Sequence, residues 1–215
     1  MRRRRQSPVK VRPELARCVF ASSNPGKLRE VEAVLGPLGM TIVAQSALGI
    51  AGAAETATTF AGNALLKARK AAQQAGLPAI ADDSGLCVDA LGGRPGVESA
   101  RYAGPDASDA DNVRKLLAEL RAVPAERRQA RFHCAVVLVM PDDRVEPLLA
   151  EADWQGAILA APTGSGGFGY DPVFHDPATG KAAAEMTIDE KNRISHRGKA
   201  LRLLADRLQR ARSSR

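Results

Sequence analysis

The sequence lacks several features that would place it in other classes of protein. None of its apolar runs approaches the roughly 18 residues that a membrane-spanning helix needs. No hydrophobic segment of the kind found in secretory signals follows the N-terminal arginines, and no internal repeat is present. We therefore expect one globular unit that is neither secreted nor associated with a membrane.

Cysteine is scarce as well. Cys18, Cys87 and Cys134 are odd in number, widely spaced and embedded in apolar runs. Neither a disulfide framework nor a zinc site fits that pattern, which indicates buried free thiols in a reducing compartment. We expect a cytoplasmic protein.

The positive charge is concentrated at one end of the chain. The net charge is +7, and seven of the 31 Lys and Arg residues lie within residues 1–17, where Glu14 is the single acidic residue. This composition predicts a basic, disordered extension over residues 1–16, followed by a single domain at 17–212. We expect no more than weak contacts between this extension and nucleic acid.

Alternating apolar patterns after the extension predict an α/β fold. The first half of the chain reads as strand, helix, strand, helix and strand, at 18–21, 25–35, 41–44, 60–75 and 78–82. The second half predicts a helix, two long strands and a C-terminal helix, at 109–121, 131–140, 148–154 and 198–211. The result is a mixed sheet with an antiparallel part in the second half.

The most informative motif is the run Ser22-Ser23-Asn24-Pro25-Gly26-Lys27. Asn24 is a good N-cap and Pro25 suits the first helical position, so a helix begins here at the exit of a strand. The helix dipole and Lys27 together describe an anion site, with phosphate as the expected anion. An ordinary strand–turn–helix with an incidental lysine is the alternative.

Two adjacent carboxylates follow the short apolar run Ala79-Ile80. Asp82 and Asp83 precede a predicted turn at Gly85, which is where open α/β sheets place ligands. Neighbouring side chains of an extended segment point in opposite directions, so one aspartate can face a site while the other faces structure. A plain turn capped by an aspartate is an equally good interpretation.

Helix 60–75 and the loop before it carry further candidates. Glu55 lies in the Thr-rich loop and is a candidate metal ligand. Asn63 and Lys67 are one helical turn apart, and taken alone they indicate a solvated stripe.

The glycine-rich run at 164–169 formally matches a dinucleotide-binding pattern. We reject that interpretation, because Tyr170-Asp171-Pro172 blocks a helix there. Glycines beside Phe168 and Tyr170 instead suit a flexible loop in which aromatic rings approach a flat ligand.

A polar cluster precedes the last helix. Its members are Lys191, Ser195, His196, Arg197 and Lys199. Ser195 is a candidate N-cap for that helix. The cluster predicts either a surface charge run or a site for an anion or a polar base edge.

Taken together, these segments resemble the inosine triphosphate pyrophosphatase family, which hydrolyses non-standard purine nucleoside triphosphates. The resemblance runs in family order across residues 18–208. The matching stretches are Ser22–Lys27, Thr59-Phe60, Asn63-Ala64, Lys67-Ala68, Ala81–Leu86, Leu91–Gly96, Ser99–Tyr102, Gly166–Pro172, Ala184–Met186, Lys191 and Ser195–Arg197.

The resemblance implies an elongated α/β fold of mixed sheet and flanking helices, with two lobes around a central cleft. It also implies a homodimer and a divalent cation, usually Mg²⁺. Asp83 takes the catalytic, metal-linked position. Glu55 is the choice for the second metal ligand, because the run Ala54–Ala57 keeps only one of the acids that the family often pairs. The implied substrate-binding residues are Ser22, Ser23, Asn24, Pro25, Gly26, Lys27, Lys67, Ser84, Phe168, Gly169, Tyr170, Asp171, Lys191, His196 and Arg197.

Two other functions stay open at this stage. A nucleic-acid-binding protein would use the Arg-rich termini, but that function leaves the central motifs unexplained. An enzyme of similar fold that hydrolyses ordinary or modified pyrimidine triphosphates is the nearer alternative.

Overall fold

The computed structural model describes residues 13–213 and contains a seven-stranded sheet, which is mixed as the sequence predicts. In chain order the strands are β1 Arg17–Phe20, β2 Thr41–Ala44, β3 Ala79–Val88, β4 Gln129–Val139, β5 Leu148–Ile158, β6 Phe174–Asp176 and β7 Lys181–Ala182. Their order in the sheet is β2-β1-β3-β4-β5-β6-β7. The pairs β1–β2 and β1–β3 are parallel, and the remaining pairs are antiparallel.

Within residues 13–213, five α-helices accompany the sheet. They are α1 Pro25–Leu35, α2 Phe60–Ala75, α3 Asp109–Glu119, α4 Ile188–Ile194 and α5 His196–Ser213. Helices α1 and α5 pack on one face of the sheet through a cluster of buried side chains that includes Val31, Leu35 and Leu204. Helix α2 covers the opposite face with an alanine-rich surface. Alternation of side chains along the strands allows both faces to be buried at once.

A second core lies toward the other ends of the long strands. It is aromatic, with Phe132, Trp154 and Phe174 packed against each other at ring separations of 4.5–6.2 Å. Helix α3 contributes Val113 and Leu116 to this core. The chain therefore buries its apolar residues around two parts of one sheet, and β3 to β5 run through both.

Strand β3 corrects a sequence interpretation. The strand does not end at residue 82 but continues to Val88, so the predicted turn at Gly85 is wrong. A Cβ on Gly85 would lie 2.3 Å from the carbonyl oxygen of Gly96 and 2.5 Å from Oγ of Ser99. Gly85 is thus required for the close approach of another backbone segment and not for a turn.

The second half differs from prediction in smaller ways. Helix α5 begins at His196, two residues early, and the Ser195 hydroxyl accepts a hydrogen bond from the Gly198 N–H at 3.1 Å, as an N-cap does. Strand β5 extends to Ile158. Helix α4 and the short strands β6 and β7 were not predicted, because two to seven residues carry too little periodicity.

The start of the described chain bears on the predicted extension. Residues 1–12 of that extension lie outside the described residues. Pro13–Leu15 forms a short 3-10 helix, and Leu15 is buried in the same core as α1 and α5. The packed chain therefore includes residues before 17, because Leu15 contributes apolar surface to that core. Among residues 13–213, no helix combines the length and apolar character that crossing a membrane requires.

We expect Gly85→Ala to lower the free energy of unfolding by about 1–3 kcal/mol or more, since the added methyl must displace backbone. Gly36→Ala is the matched control, because Gly36 has ordinary helical dihedral angles and a Cβ there would meet nothing within 4 Å. That control should be neutral or stabilise by about 0.4–1 kcal/mol. Chemical denaturation of both variants measures the difference, and equal stabilities would contradict the role given to Gly85.

Candidate active site

The site forms where β1 stops. Strand β1 pairs with β3 only at Val19–Ala79 and Phe20–Ile80, so the edge of β3 from Asp82 onward faces a cleft. The chain leaving β1 crosses this edge and begins α1. Side chains on either face of β3 can therefore reach the same opening.

The predicted phosphate segment caps its own helix. Oδ1 of Asn24 accepts the backbone N–H groups of Gly26 at 2.8 Å and Lys27 at 3.1 Å, which confirms the N-cap. The hydroxyls of Ser22 and Ser23 accept hydrogen bonds from the Asn24 N–H and from the Gln45 side chain. Two first-turn donors are thus occupied, and the Lys27 ammonium adds a full positive charge at this end.

Asp82 and Asp83 point to opposite faces of β3, as the sequence predicts. Oδ2 of Asp82 is 3.1 Å from Nζ of Lys27 and 3.0 Å from Nε of Arg197. Burial alone would raise the pKa of Asp82, but the charges of Lys27 and Arg197 outweigh it and hold the pKa well below its usual range. The alternative of a simple turn is wrong, because both residues lie inside a strand.

Asp83 faces α2 and a second lysine. Nζ of Lys67 is 2.9 Å from Oδ1 of Asp83 and 2.8 Å from Oε1 of Glu55, so the two predicted metal ligands converge on one cation. Oxygen donors of this kind suit a hard divalent cation. Within residues 13–213 no three metal-binding side chains cluster together, so water and phosphate oxygens would complete such a coordination shell.

Asn63 ties Glu55 to Asp83. Its side chain is fully buried, donates to Oδ2 of Asp83 at 3.2 Å and accepts the backbone N–H of Ala57 at 2.9 Å. The interpretation of Asn63 and Lys67 as a solvated stripe is therefore wrong. Their spacing of one helical turn was the available signal, and only the position of Asp83 gives it meaning.

The other end of the cleft is a cavity of about 620 Å³, counting the open space at its mouth. Its wall includes the ring of His196, which stacks on Phe132 at 4.8 Å and an interplanar angle of 12°. The ring of Phe168 faces Nζ of Lys191 at 4.5 Å and Cζ of Arg197 at 5.5 Å. The lining side chains and backbone come from Asn24, Lys27, Ser84, Gly85, Ser99, Ala100, Asp109, Asn112, Phe132, Phe168, Gly169, Tyr170, Asp171, Lys191, His196 and Arg197.

The two segments that form the ends of the cleft are in contact. A Cβ built on Gly26 would lie 2.7 Å from the Phe168 ring, so the aromatic loop rests directly on the predicted phosphate segment. Asn24 and Lys27 of that segment also line the aromatic cavity, so a ligand bound in the cavity would reach the lysine-lined end.

Buried charges connect the helices around the cavity. Arg197 is 1% exposed and donates to Asp82, to Ser84 and, through Nη1, to Glu30. Lys191 is 3.1 Å from Glu30. The cluster before α5 is thus not a surface charge run.

Glu30 was missed by sequence reasoning. It is 4% exposed and pairs with both Arg197 and Lys191. Burial would raise the pKa of Glu30, but the two cations outweigh it and lower the pKa below 4.5. An acidic residue on the face of α1 that also carries Val31 was the signal in the sequence.

His196 has an unsatisfied atom. The side chain is 4% exposed, and among the described residues its Nδ1 has no hydrogen-bond partner. Burial, and then the neighbouring charges of Arg197 and Lys191, lower the pKa of His196 well below its ordinary value. The imidazole is therefore neutral at pH 7 and offers one donor and one acceptor.

Carboxylates and a hydroxyl hold the loop that carries Phe168. Asp171 accepts the Phe168 N–H at 2.9 Å and pairs with Lys191 at 2.6 Å. Asp109, which sequence reasoning also missed, accepts the Gly169 N–H at 2.6 Å. The Tyr170 hydroxyl donates to the carbonyl of Ser99 at 2.8 Å. The structure thus brings the predicted site residues together around one cleft, with Asp83, Lys67 and Glu55 on its far side.

A mixed α/β fold with a cation-lined end, converging carboxylates and an aromatic cavity defines a nucleotide-binding type of enzyme site. The Ham1 family model matches residues 18–207, and the chain belongs to the Ham1 family. Relatives called dITP/XTP pyrophosphatase match most of this chain. The protein of Yersinia pseudotuberculosis is 55% identical over 90% of this chain and 98% of its own length, and that of Pectobacterium atrosepticum is 54% identical over 92% and 100%.

Solved structures agree with this assignment. A HAM1 protein from Coxiella burnetii superimposes with a TM-score of 0.82 at 44% identity, covering 90% of this chain and 98% of its own. A nucleoside-triphosphatase or dITP/XTP pyrophosphatase from Mycobacterium abscessus gives a TM-score of 0.68 at 43% identity, covering 87% and 97%. The α/β fold class predicted from the sequence is confirmed.

We expect Glu30→Gln to destabilise the protein by about 3–5 kcal/mol, because Arg197 and Lys191 lose the buried carboxylate that they share and keep only Asp82 and Asp171 as partners. Glu32→Gln on the exposed side of the same helix is the control and should cost less than about 0.5 kcal/mol. Urea unfolding at pH 7 measures both.

The same variant has a pH signature. Because folding lowers the pKa of Glu30 below 4.5, its contribution is complete above that value and is lost as the pH falls through the folded pKa. The stability difference between wild type and Glu30→Gln should therefore shrink on acidification. A difference that stays constant from pH 7 to pH 3 would contradict the ion pairs described here.

Proposed function

We propose that this protein hydrolyses non-standard purine nucleoside triphosphates, namely ITP, dITP and XTP, to the monophosphate and pyrophosphate, and so removes them from the nucleotide pool. The observation that carries the proposal is that Lys27 of the predicted phosphate segment and the Phe168 ring line the same cavity, so the aromatic part and the lysine-lined part adjoin. The relatives named dITP/XTP pyrophosphatase support the same substrate class.

The lysine-lined end would hold the triphosphate. Lys27 and Lys67 lie on the two sides of the Asp82-Asp83 pair, and the N-terminus of α1 adds the positive end of its dipole. Ser22 and Ser23 place two side-chain hydroxyl groups at the same turn. We assign to Asp83 the orientation of the water that attacks the α-phosphorus. The bond to the bridging oxygen then breaks, and the lysines stabilise the charge of the departing pyrophosphate.

We propose Mg²⁺ as the cofactor, with Asp83 and Glu55 as its protein ligands. The fit rests on two carboxylates that already share one cationic partner, Lys67. Bound Mg²⁺ would polarise phosphate oxygens and neutralise charge in the transition state. Asn63 would keep Asp83 and the Glu55 loop at a fixed spacing, since its amide binds both segments.

The aromatic cavity would read the base. A 6-oxo purine has an acceptor at O6 and a donor at N1, and adenine reverses both. The backbone N–H groups of Phe168 and Gly169 are already bound by carboxylates, and Arg197 already donates to three partners, so His196 is the better partner for the base.

We also propose that the protein is a cytoplasmic homodimer. The resemblance to the family is the support for the dimer, and three buried free thiols are consistent with a reducing compartment. Analytical ultracentrifugation measures the oligomeric state directly.

We expect Asp83→Asn to lower kcat for ITP by at least about 10²-fold, since a charge at the reacting centre is removed while packing is kept. Pyrophosphate release in the presence of Mg²⁺ measures the loss, and a melting curve shows that the variant is folded. Asp143→Asn, in the exposed turn between β4 and β5, is the matched control and should retain full activity. Activity of Asp83→Asn within a few fold of wild type would move the catalytic role elsewhere, first to Asp82.

The substrate panel tests the base assignment. We expect kcat/KM for ITP and XTP to exceed that for ATP by as much as about 10⁴-fold, because adenine would leave buried polar groups unpaired. GTP shares O6, so its rejection would rest on the 2-amino group near Phe168 and Tyr170. Equal values for ITP and ATP would overturn the base assignment, and faster hydrolysis of dUTP than of ITP would favour the pyrimidine alternative.

A further inference from the structure

The contact between Asp109 and Gly169 joins two elements that are 60 residues apart in the chain. Asp109 is the first residue of α3, after the Ser108 N-cap. The helix itself is anchored, since Asn112 binds the carbonyl of Ala100 and the N–H of Ala103, and Lys115 binds the carbonyl of Tyr102. The Asp109 carboxylate is therefore presented from a fixed support.

The loop on the other side of this contact depends on such support. The φ values of Gly164, Gly167 and Gly169 are +79°, +74° and +60°. Glycine adopts this left-handed region easily, but it adopts many other conformations as easily, so these residues do not fix the loop by themselves. The Phe168 N–H is bound by Asp171, only three residues away. Asp109 reaches the next N–H from outside the loop, and together the two carboxylates orient the peptide units on both sides of Phe168.

We propose that Asp109 is a positioning residue for substrate binding. It fixes the peptide of Gly169 and thereby holds the Phe168 ring as the wall of the aromatic cavity. This inference rests on the proposed function, in which that cavity receives the purine ring. Because Asp109 lines the aromatic cavity and contacts none of Lys27, Lys67 or Asp83, its effect should fall on the binding of substrate and not on the chemical step.

Three variants separate this role from a structural one. Asp109→Ala removes the acceptor and should raise KM for ITP by about 5–10-fold with kcat within about twofold, the size expected for one hydrogen bond at an exposed position. Asp109→Asn keeps an oxygen acceptor and should restore KM to within about twofold of wild type. Asp111→Ala is the matched control, because Asp111 belongs to the capping box of the same helix turn but does not contact the loop. It should lower the melting temperature and leave KM unchanged.

Amide hydrogen exchange gives a readout that needs no catalysis. In the full-length protein without nucleotide, exchange of the segment 165–170 should be at least about fivefold faster in Asp109→Ala than in wild type, and unchanged in Asp111→Ala. The inference would be overturned if Asp109→Ala had the same exchange rate in this segment and the same KM as the wild type. Equal effects in Asp111→Ala, or a loss confined to kcat, would also overturn it. If the wild type does not hydrolyse ITP, the proposed function fails, and the exchange of this segment still decides whether Asp109 holds the loop.

Discussion

The buried guanidinium of Arg197 is the interaction on which the rest of the site depends. A charge removed from water costs several kcal/mol unless it is paired and hydrogen-bonded. Arg197, at the start of α5, finds its partners on two other elements, Glu30 of α1 and Asp82 with Ser84 of β3. These elements must therefore meet at one point. Lys191 of α4 joins them through Glu30, and the walls of the cleft follow from that convergence.

Local signals were sufficient for much of the fold. Asn24 and Pro25 mark the start of α1 because capping and proline geometry involve only neighbouring residues. Gly85 shows the limit of such signals. Glycine serves both tight turns and close backbone contacts, and the sequence near residue 85 does not distinguish them. The deciding atoms belong to Gly96 and Ser99, which only the fold brings near.

The site residues divide in the same way. Asp83, Lys27 and His196 stand in motifs whose chemistry is readable from residue type and spacing. Glu30 and Asp109 are different, because their partners lie 167 and 60 residues away. Helical periodicity indicates that a charged residue faces the interior, but it does not identify the oppositely charged residue with which it pairs. Long-range pairing of this kind requires coordinates.

The charges of the cleft constrain how it can bind a triphosphate. Its carboxylates Glu30, Glu55, Asp82, Asp83 and Asp171 are matched by the cations Lys27, Lys67, Arg101, Lys191 and Arg197. Each of these cations already has a carboxylate partner, so the protein alone supplies little uncompensated positive charge. A triphosphate that arrived alone would have to draw Lys27 and Lys67 away from the aspartates and leave those carboxylates unpaired, which is costly for buried groups. A triphosphate that brings a divalent cation offers Asp83 and Glu55 a replacement partner. Release of the lysines toward phosphate and binding of the cation by the carboxylates then become parts of one exchange.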